Sequence, residues 1–529
     1  MNDSETNSES LSQIEEKVSE DILSGDDTYN PKYEKGNTSF LGAFLQIGNT
    51  ILGAGIISLP VVFRYLGFIL GFVFISIIAI LTIYSSYLLL KAHQITKKRK
   101  YLTIAHSSMG DKGYIFTNIM IILNNFGLSC VYFRIVGDTL QNVIGSYVSK
   151  DNIFVKNWHN FLYILIILFI MSFVIWTQDF KKFEKTSFLG MIGIIIYFIV
   201  IIILFFYKLS KGFKPFHSLE SYFISGEFTN ILICLPSVFL SFSFQFNLFP
   251  IYSGLIKRTH EEMINVTKVS ISLCFILYIF SGIIGFLMYG DSLEDTILDA
   301  FLKEVQDENN DLVIKILLII ANIGFLLCAT TSIPLVYYTL KQNFFSTYKF
   351  IIRNKRKKNI EMEIEEESNK ITKINSLGIN DEETDNKDKN NNINENTNNF
   401  NDNNTTTDSE TERSTTISSI DSNDDNSKKI KVNISKNEEI IISALLYITI
   451  GIVTILVPKL KSIFNVVGCT AANSIQFIIP CLMIICLKEK SEKLSINLLL
   501  VKILLGFGIA SLIICFVAEI MNIILFADN

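Results

Sequence analysis

Apolar residues along this chain come in blocks too long for a water-soluble fold. The stretches Phe161 to Phe173 and Ile192 to Tyr207 contain no charged residue, whereas a surface helix would turn a polar face outward every three or four positions. One bilayer crossing needs roughly 20 apolar residues. The pattern predicts spans near residues 40–65, 67–90, 114–146, 160–177, 188–207, 229–253, 268–289, 313–340, 439–457, 462–487 and 497–526, about eleven in all. The expected fold is therefore an all-α polytopic membrane protein. Its layout reads as a disordered tail over 1–38, spans one to five over 39–210, spans six to eight over 228–340, an Asn-rich insertion over 341–437, spans nine and ten over 438–488, and a last span over 495–526.

Charge places these spans in a membrane with a defined side. Basic clusters at Lys97 to Lys100, at Lys181, Lys182 and Lys185, at Lys257 and Arg258, and at Arg353 to Lys358 all fall in alternate connections, while the acidic stretch Asp291 to Asp311 falls in another. Positive loops face the cytosol, so the tail and the insertion are expected there, and an odd number of spans puts the C-terminus outside or in a lumen. The tail has no basic segment leading into a short apolar core, which argues against a cleaved signal peptide. The insertion, rich in Asn, Asp, Glu, Ser and Thr, is too polar to offset the entropy of folding. A plasma membrane and a lysosome-like vacuole membrane both suit this pattern.

With 49% hydrophobic and 18% charged residues and a net charge of −5, nothing suggests a nucleic-acid partner. The eight cysteines lie in or at the edges of apolar runs without a CxxC pair, so neither disulfides nor a thiolate metal site are expected. No HExxH, phosphate loop or pair of intramembrane catalytic carboxylates is present, and the chain is not expected to be an enzyme.

Two spans carry polar interruptions. In Gln46 to Pro60, QIGNTILGAGIISLP, the residues Gly48, Asn49, Thr50, Gly53 and Gly55 sit inside an otherwise apolar span. Glycines lower the cost of opening the i to i−4 ladder, and a broken helix offers carbonyls to a cation and N–H groups to a carboxylate. The competing reading is that small residues let helices approach closely. In the sixth span, PSVFLSFSFQFNLFPIY, the residues Ser243, Gln245 and Asn247 lie between Pro236 and Pro250. Broken first and sixth helices are what an inverted repeat of five plus five spans requires.

The segment GNTILGAGIISLPVVFRYLGFILG resembles the first-helix signature of the amino acid/auxin permease family, and in particular its sodium-coupled neutral amino acid transporter branch. VGDTL at Val136 to Leu140, FSFQFNLFPIYSGL at Phe242 to Leu255, GFLMYGD at Gly285 to Asp291 and VVGCTAANSIQFIIP at Val466 to Pro480 resemble it in the same order. The resemblance covers the spans and leaves out only the tail and the insertion. It implies a LeuT-like fold, a five-plus-five inverted repeat with one further helix, that carries amino acids by alternating access. It also implies that Gly48, Thr50, Gly53 and Gly55 grip the backbone of the amino acid, and that Asn49 with Thr330, Thr331 and Ser332 of the eighth span holds Na⁺. Hard oxygen ligands suit that ion, although Ser and Thr often bond to their own helix carbonyls instead.

Ionisable residues within spans are costly and usually functional. Arg134 and Asp138 share a helical face and can pair; with Arg64 at the end of the first span they are candidate gate elements, against the plainer readings of a structural pair and a snorkelling arginine. The function expected is secondary active transport of amino acids, neutral ones first, by a monomer in the lipid bilayer, with Na⁺ or H⁺ as coupling ion and no bound cofactor. The alternative is an amino acid sensor that uses the same pocket to signal.

Overall fold

The computed structural model describes residues 36–145, 160–176, 183–213, 228–307, 311–376, 435–457, 460–490 and 496–527. The helices are α1 (Phe40–Gly55), α2 (Leu59–Thr96), α3 (Tyr101–Gly145), α4 (Asn160–Trp176), α5 (Phe183–Ser210), α6 (Phe228–Ser241), α7 (Gln245–Gly254), α8 (His260–Tyr289), α9 (Ile297–Val305), α10 (Leu312–Ser376), α11 (Lys436–Leu456), α12 (Leu460–Val467), α13 (Ile479–Lys490) and α14 (Leu498–Ala527). Among the described residues nine helices are long and apolar enough to cross a membrane, and Phe40–Gly53 and Tyr163–Ser172 are shorter apolar helices.

The distribution of side chains is that of a protein dissolved in lipid. Phe169 is 69% exposed and Ile80 65%, while Asn124, Gln245 and Gln476 are 0% exposed. An apolar outer surface over an interior that also holds amides departs from the arrangement that water imposes.

Local signals set the helix boundaries. The Ser39 hydroxyl accepts from the Gly42 N–H at 3.1 Å and starts α1, Thr259 does the same for α8 from Glu262 at 3.2 Å, and Ser435 with Glu438 forms a capping box on α11. Gly67 and Gly110 have φ of 73° and 71°, a conformation a side chain would resist. The first kinks α2 where the sequence divides the first and second spans, and the second kinks α3, whose helix starts at Tyr101, earlier than the expected 114.

Two units emerge, Met1–Lys349 with Asn433–Asn529, and Phe350–Val432. Residues 341–376, assigned by sequence to the disordered insertion, instead continue as helix to Ser376; the stretch from Arg353 to Ser376 has no Pro or Gly, and its lysine-rich run precedes a glutamate-rich one, a permissive pattern for a helix. The remainder of the insertion, 377–434, and tail residues 1–35 lie outside the described residues.

In the larger unit α8 packs along α2 and α1, α5 lies on α1, and α6 contacts α2, α12 and α14. Between α12 and α13 the chain forms two π-helical turns, Gly468–Ala472 and Ser474–Ile478. Turns of this kind free backbone groups and concentrate at functional sites. Here Gln476 uses the space: its Nε2 donates to the Phe242 carbonyl at 3.0 Å and to Thr82 Oγ1 at 3.1 Å.

Candidate functional site

The first interruption comes slightly later than the glycines suggest. Gly48, Asn49, Thr50, Gly53 and Gly55 all lie within α1, and Ile56, Ile57 and Ser58 leave the helix before Leu59 opens α2. None of these glycines has a positive φ, so flexibility is not what they supply. They supply proximity. A methyl group at Gly53 would fall on the Tyr132 hydroxyl of α3; at Gly55 it would meet the Tyr278 hydroxyl and Ser241; at Gly48 it would come within 2.7 Å of Met191 of α5. Irregular backbone at membrane depth must have its polar groups satisfied by protein, and here the carbonyls of Gly55, Ile56 and Ile57 have partners. Ser281 Oγ donates to Ile56 O at 3.4 Å, the Ile297 N–H to Ile57 O at 3.1 Å, and Ser58 Oγ to Gly55 O at 2.9 Å.

The second interruption separates α6 from α7 at Phe242, Ser243 and Phe244. The Phe244 N–H donates to Gln245 Oε1 at 3.0 Å. Ser243, Gln245 and Asn247 are 2%, 0% and 4% exposed, and Ser243 Oγ, Gln245 Nε2 and Asn247 Nδ2 have no hydrogen-bond partner among the described residues. A buried polar group without a partner costs about 1–3 kcal/mol, so three in one break are a strong pull on any polar solute that reaches them. Asn247, Thr50, Gln46 and Ser187 also line a cavity of about 20 Å³, large enough for a water molecule.

Tyr278 of α8, which sequence reasoning did not single out, joins the two breaks. Its hydroxyl lies 2.5 Å from Ile51 O of α1 and 2.8 Å from Ser241 O of α6, and its one proton serves both carbonyls in alternation. The available signal was a tyrosine in an aliphatic run, because a buried phenol demands an acceptor. Tyr278→Phe is expected to remove this link with little loss of packing: initial uptake in vesicles should fall about tenfold, with a stability change of about 1 kcal/mol read by thermal unfolding. Unchanged uptake would show that the link is incidental.

The expected ion ligands converge only in part. Asn49 is 1% exposed; its Nδ2 donates to Ser332 Oγ of α10 at 3.5 Å, and the Cys328 thiol lies 4.0 Å from its Oδ1. A methyl group at Gly190 of α5 would meet both Asn49 Oδ1 and, at 2.6 Å, Thr331 Oγ1. Asn49 Oδ1 and Thr331 Oγ1 therefore meet against the bare backbone of Gly190, and Ser332 lies on the Nδ2 side of the same amide. The hydroxyls of Thr331 and Ser332 donate to carbonyls of their own helix at 2.9 Å, which leaves oxygen lone pairs for a cation. Thr330 donates to Leu326 O at 2.8 Å and Leu327 O at 3.1 Å, with no recorded bond to α1 or α5. Gly190 is a further member that sequence reasoning missed, since only the α1–α5 contact gives that glycine meaning.

Arg64, Arg134 and Asp138 lie around α9 and outside the two interrupted segments. Arg64 donates to the Leu293 carbonyl in the segment entering α9. Arg134 Nε lies 3.1 Å from Asp138. Asn142 donates to Leu298 O at 3.1 Å, and Lys208 Nζ meets Glu304 at 2.5 Å with side chains 10% and 12% exposed, while the Tyr289 hydroxyl donates to the same carboxylate at 2.5 Å. Burial raises the Asp299 carboxyl above its usual range, and hydrogen bonds from Thr296 oppose the shift. Together with the bond from Ile297 to Ile57, these anchors hold α9 over the first break. Removing one side of a buried ion pair costs about 3–5 kcal/mol; at this partly wet position Glu304→Ala is expected to lower stability by about 2 kcal/mol, seen as a fall in Tm. An unchanged Tm would mean that the pair is screened.

On the other side of the membrane the Thr38 N–H donates to Gly254 O at 2.9 Å, the Ile256 N–H donates to Thr38 O at 3.0 Å, and Gly36 lies directly on the carbonyls of Gly254 and Leu255. The chain entering α1 is thus tied to the end of α7.

Comparisons with known proteins bear on the family and the fold. The family described as transmembrane amino acid transporter protein matches residues 36–525. Amino acid transporter AVT6E of Arabidopsis thaliana is 24% identical over 315 residues, 59% of this chain and 64% of that protein. AVT6A of the same plant is 26% identical over 321 residues, 59% and 68% of the two lengths, and sodium-coupled neutral amino acid symporter 2 of Danio rerio is 25% identical over 345 residues, 60% and 65%. The match thus spans just under two thirds of the first relative's length. The crystal structure of MhsT in complex with L-phenylalanine superposes with a TM-score of 0.56 over 92% of this chain and 100% of that one, at 11% identity; the fold is the LeuT-like one.

Proposed function

Because the chain belongs to the transmembrane amino acid transporter family, we propose that it moves neutral amino acids across a bilayer by alternating access, driven by Na⁺ or H⁺. The observation that carries this reading is the pair of interrupted helices, linked by Tyr278 and flanked by Ser243, Gln245 and Asn247 with unpartnered polar atoms. A zwitterion presents a carboxylate to N–H donors and an ammonium to carbonyls, so broken helices can hold it without charged side chains. No bond is made or cleaved; the cycle depends on differential affinity between two conformations.

Coupling is assigned to the oxygens of Asn49, Thr331 and Ser332. Na⁺ is the coupling ion this set favours, being hard and satisfied by neutral oxygen ligands, and the symporter from Danio rerio carries sodium coupling in its name. The same reading keeps the protein monomeric, the basic loops and the tail in the cytosol, and the membrane either plasma or lysosome-like. Counterflow of radiolabelled amino acids in proteoliposomes, with Na⁺ exchanged for choline and the external pH varied, tests it. Exchange of neutral amino acids that depends on one of these ions supports the proposal. Binding without accumulation under any gradient would instead make the chain a sensor.

A further inference from the structure

A groove on the lipid-facing side of the protein, between α2 and α8 and away from both interruptions, has the chemistry of a lipid site. Its cavity of about 390 Å³ is lined by Ile80, Ile83 and Leu90 of α2 and by Ile264, Thr267 and Lys268 of α8, with Tyr84 and Tyr87 along one wall. The aliphatic part suits an acyl chain. The polar part does not suit an acyl chain at all: Lys268 is exposed, Thr267 is 2% exposed and its hydroxyl has no partner among the described residues.

Around the same end Lys91 lies over the Tyr87 ring at 5.7 Å, Tyr84 stacks on Tyr87 at 6.3 Å, and the His260 ring meets Tyr87 edge-on at 6.3 Å. Both His260 nitrogens also lack a partner among the described residues. Glu261 and Glu262 occupy the first turn of α8, yet among the described residues no ion pair joins either to Lys91 or Lys268. The basic residues Lys257 and Arg258 precede the helix. Depth agrees with charge: α8 has 30 residues, about 45 Å against a hydrocarbon core of about 30 Å, and Lys268 stands about 12 Å from its start, close to the headgroup boundary where tyrosines and lysines gather.

We infer that the α2–α8 groove binds one anionic phospholipid of the leaflet on the basic side, its acyl chain along Ile80, Ile83 and Ile264 and its phosphate held by Lys268 and Lys91, with hydrogen bonds from Thr267 and His260. Because α8 also carries Tyr278, the lipid rests on the helix that links the two interruptions.

The test uses the full chain in detergent, titrated with phosphatidylserine, phosphatidylcholine and inorganic phosphate, and read by native mass spectrometry and by the shift of each variant's own Tm. Phosphatidylserine should remain bound and raise Tm, and phosphatidylcholine and phosphate should not. Lys268→Glu should weaken phosphatidylserine binding about tenfold, Ile83→Trp should abolish it by filling the groove, and Lys502→Glu, a lipid-facing lysine on α14, should leave it unchanged. Equal retention of the two lipids, a Tm shift with phosphate alone, binding undiminished by Ile83→Trp, or an equal loss in Lys502→Glu would each overturn the inference. The comparison of lipids on the unmodified chain decides the matter even where a variant does not fold.

Discussion

Gly53→Val is expected to abolish amino acid uptake while the protein still accumulates in the membrane. The Tyr132 hydroxyl occupies the place of the missing side chain, and its ring carbon Cζ lies 3.0 Å from that point. Tyr132 is 1% exposed and has no open space to retreat into, so α1 must move away from α3 or the ring must leave its rotamer. Strain of this kind costs about 1–3 kcal/mol. A folded membrane protein of this size tolerates that; a site that alternates between closely balanced states does not, since the same energy displaces its equilibrium about fivefold to 150-fold. Gly53→Ala, which adds only the first carbon, should lose part of the uptake. Initial rates in proteoliposomes, normalised to reconstituted protein, are the measurement, and normal kinetics in the valine variant would refute the assignment of this contact to the site.

Asn49→Ala is expected to be equally inert for a different reason. The amide sits where α1, α5 and α10 meet, with Ser332 at 3.5 Å and Gly190 directly opposite. Truncation forfeits the long hydrogen bond to Ser332 and the weak one from the Cys328 thiol, together worth about 1 kcal/mol, so the variant should fold and express. On the proposed assignment, what it removes is the α1 oxygen of the set with Thr331 and Ser332. Ion-dependent uptake should therefore fall to background at every Na⁺ concentration and pH, while Tm changes by only a few degrees. Uptake with an unaltered ion dependence would show that the amide is a packing element and that coupling lies elsewhere.

The parts of this architecture that were legible in the sequence are those set by short-range rules. Uninterrupted apolar blocks gave the helices, Gly67 gave the division between the first two spans, and the polar residues of the sixth span gave its break to within a few positions. The first break was placed too early because a glycine carries two messages, freedom of the backbone and absence of a side chain, and a sequence does not say which is in use. Gly53 and Gly55 turn out to use the second. Residues whose meaning comes from a distant partner were not legible: Tyr278 matters through Ile51 and Ser241, Gly190 through Asn49 and Thr331, and Gln476 through Phe242. Helix α9 was hidden in a stretch read as an acidic loop. Its capping box, Thr296 with Asp299, and the apolar spacing of Ile297, Leu298, Phe301 and Val305 were visible, but nine residues are too few to stand out against the surrounding charge.

Protection of a cysteine placed in the second break tests most directly whether the two breaks hold the amino acid. In a transport-competent Ser243→Cys variant, a saturating neutral amino acid should slow modification by a small thiol reagent severalfold, while its methyl ester, which keeps the ammonium but not the carboxylate, should not. Modification at the same rate with and without the amino acid would contradict the account.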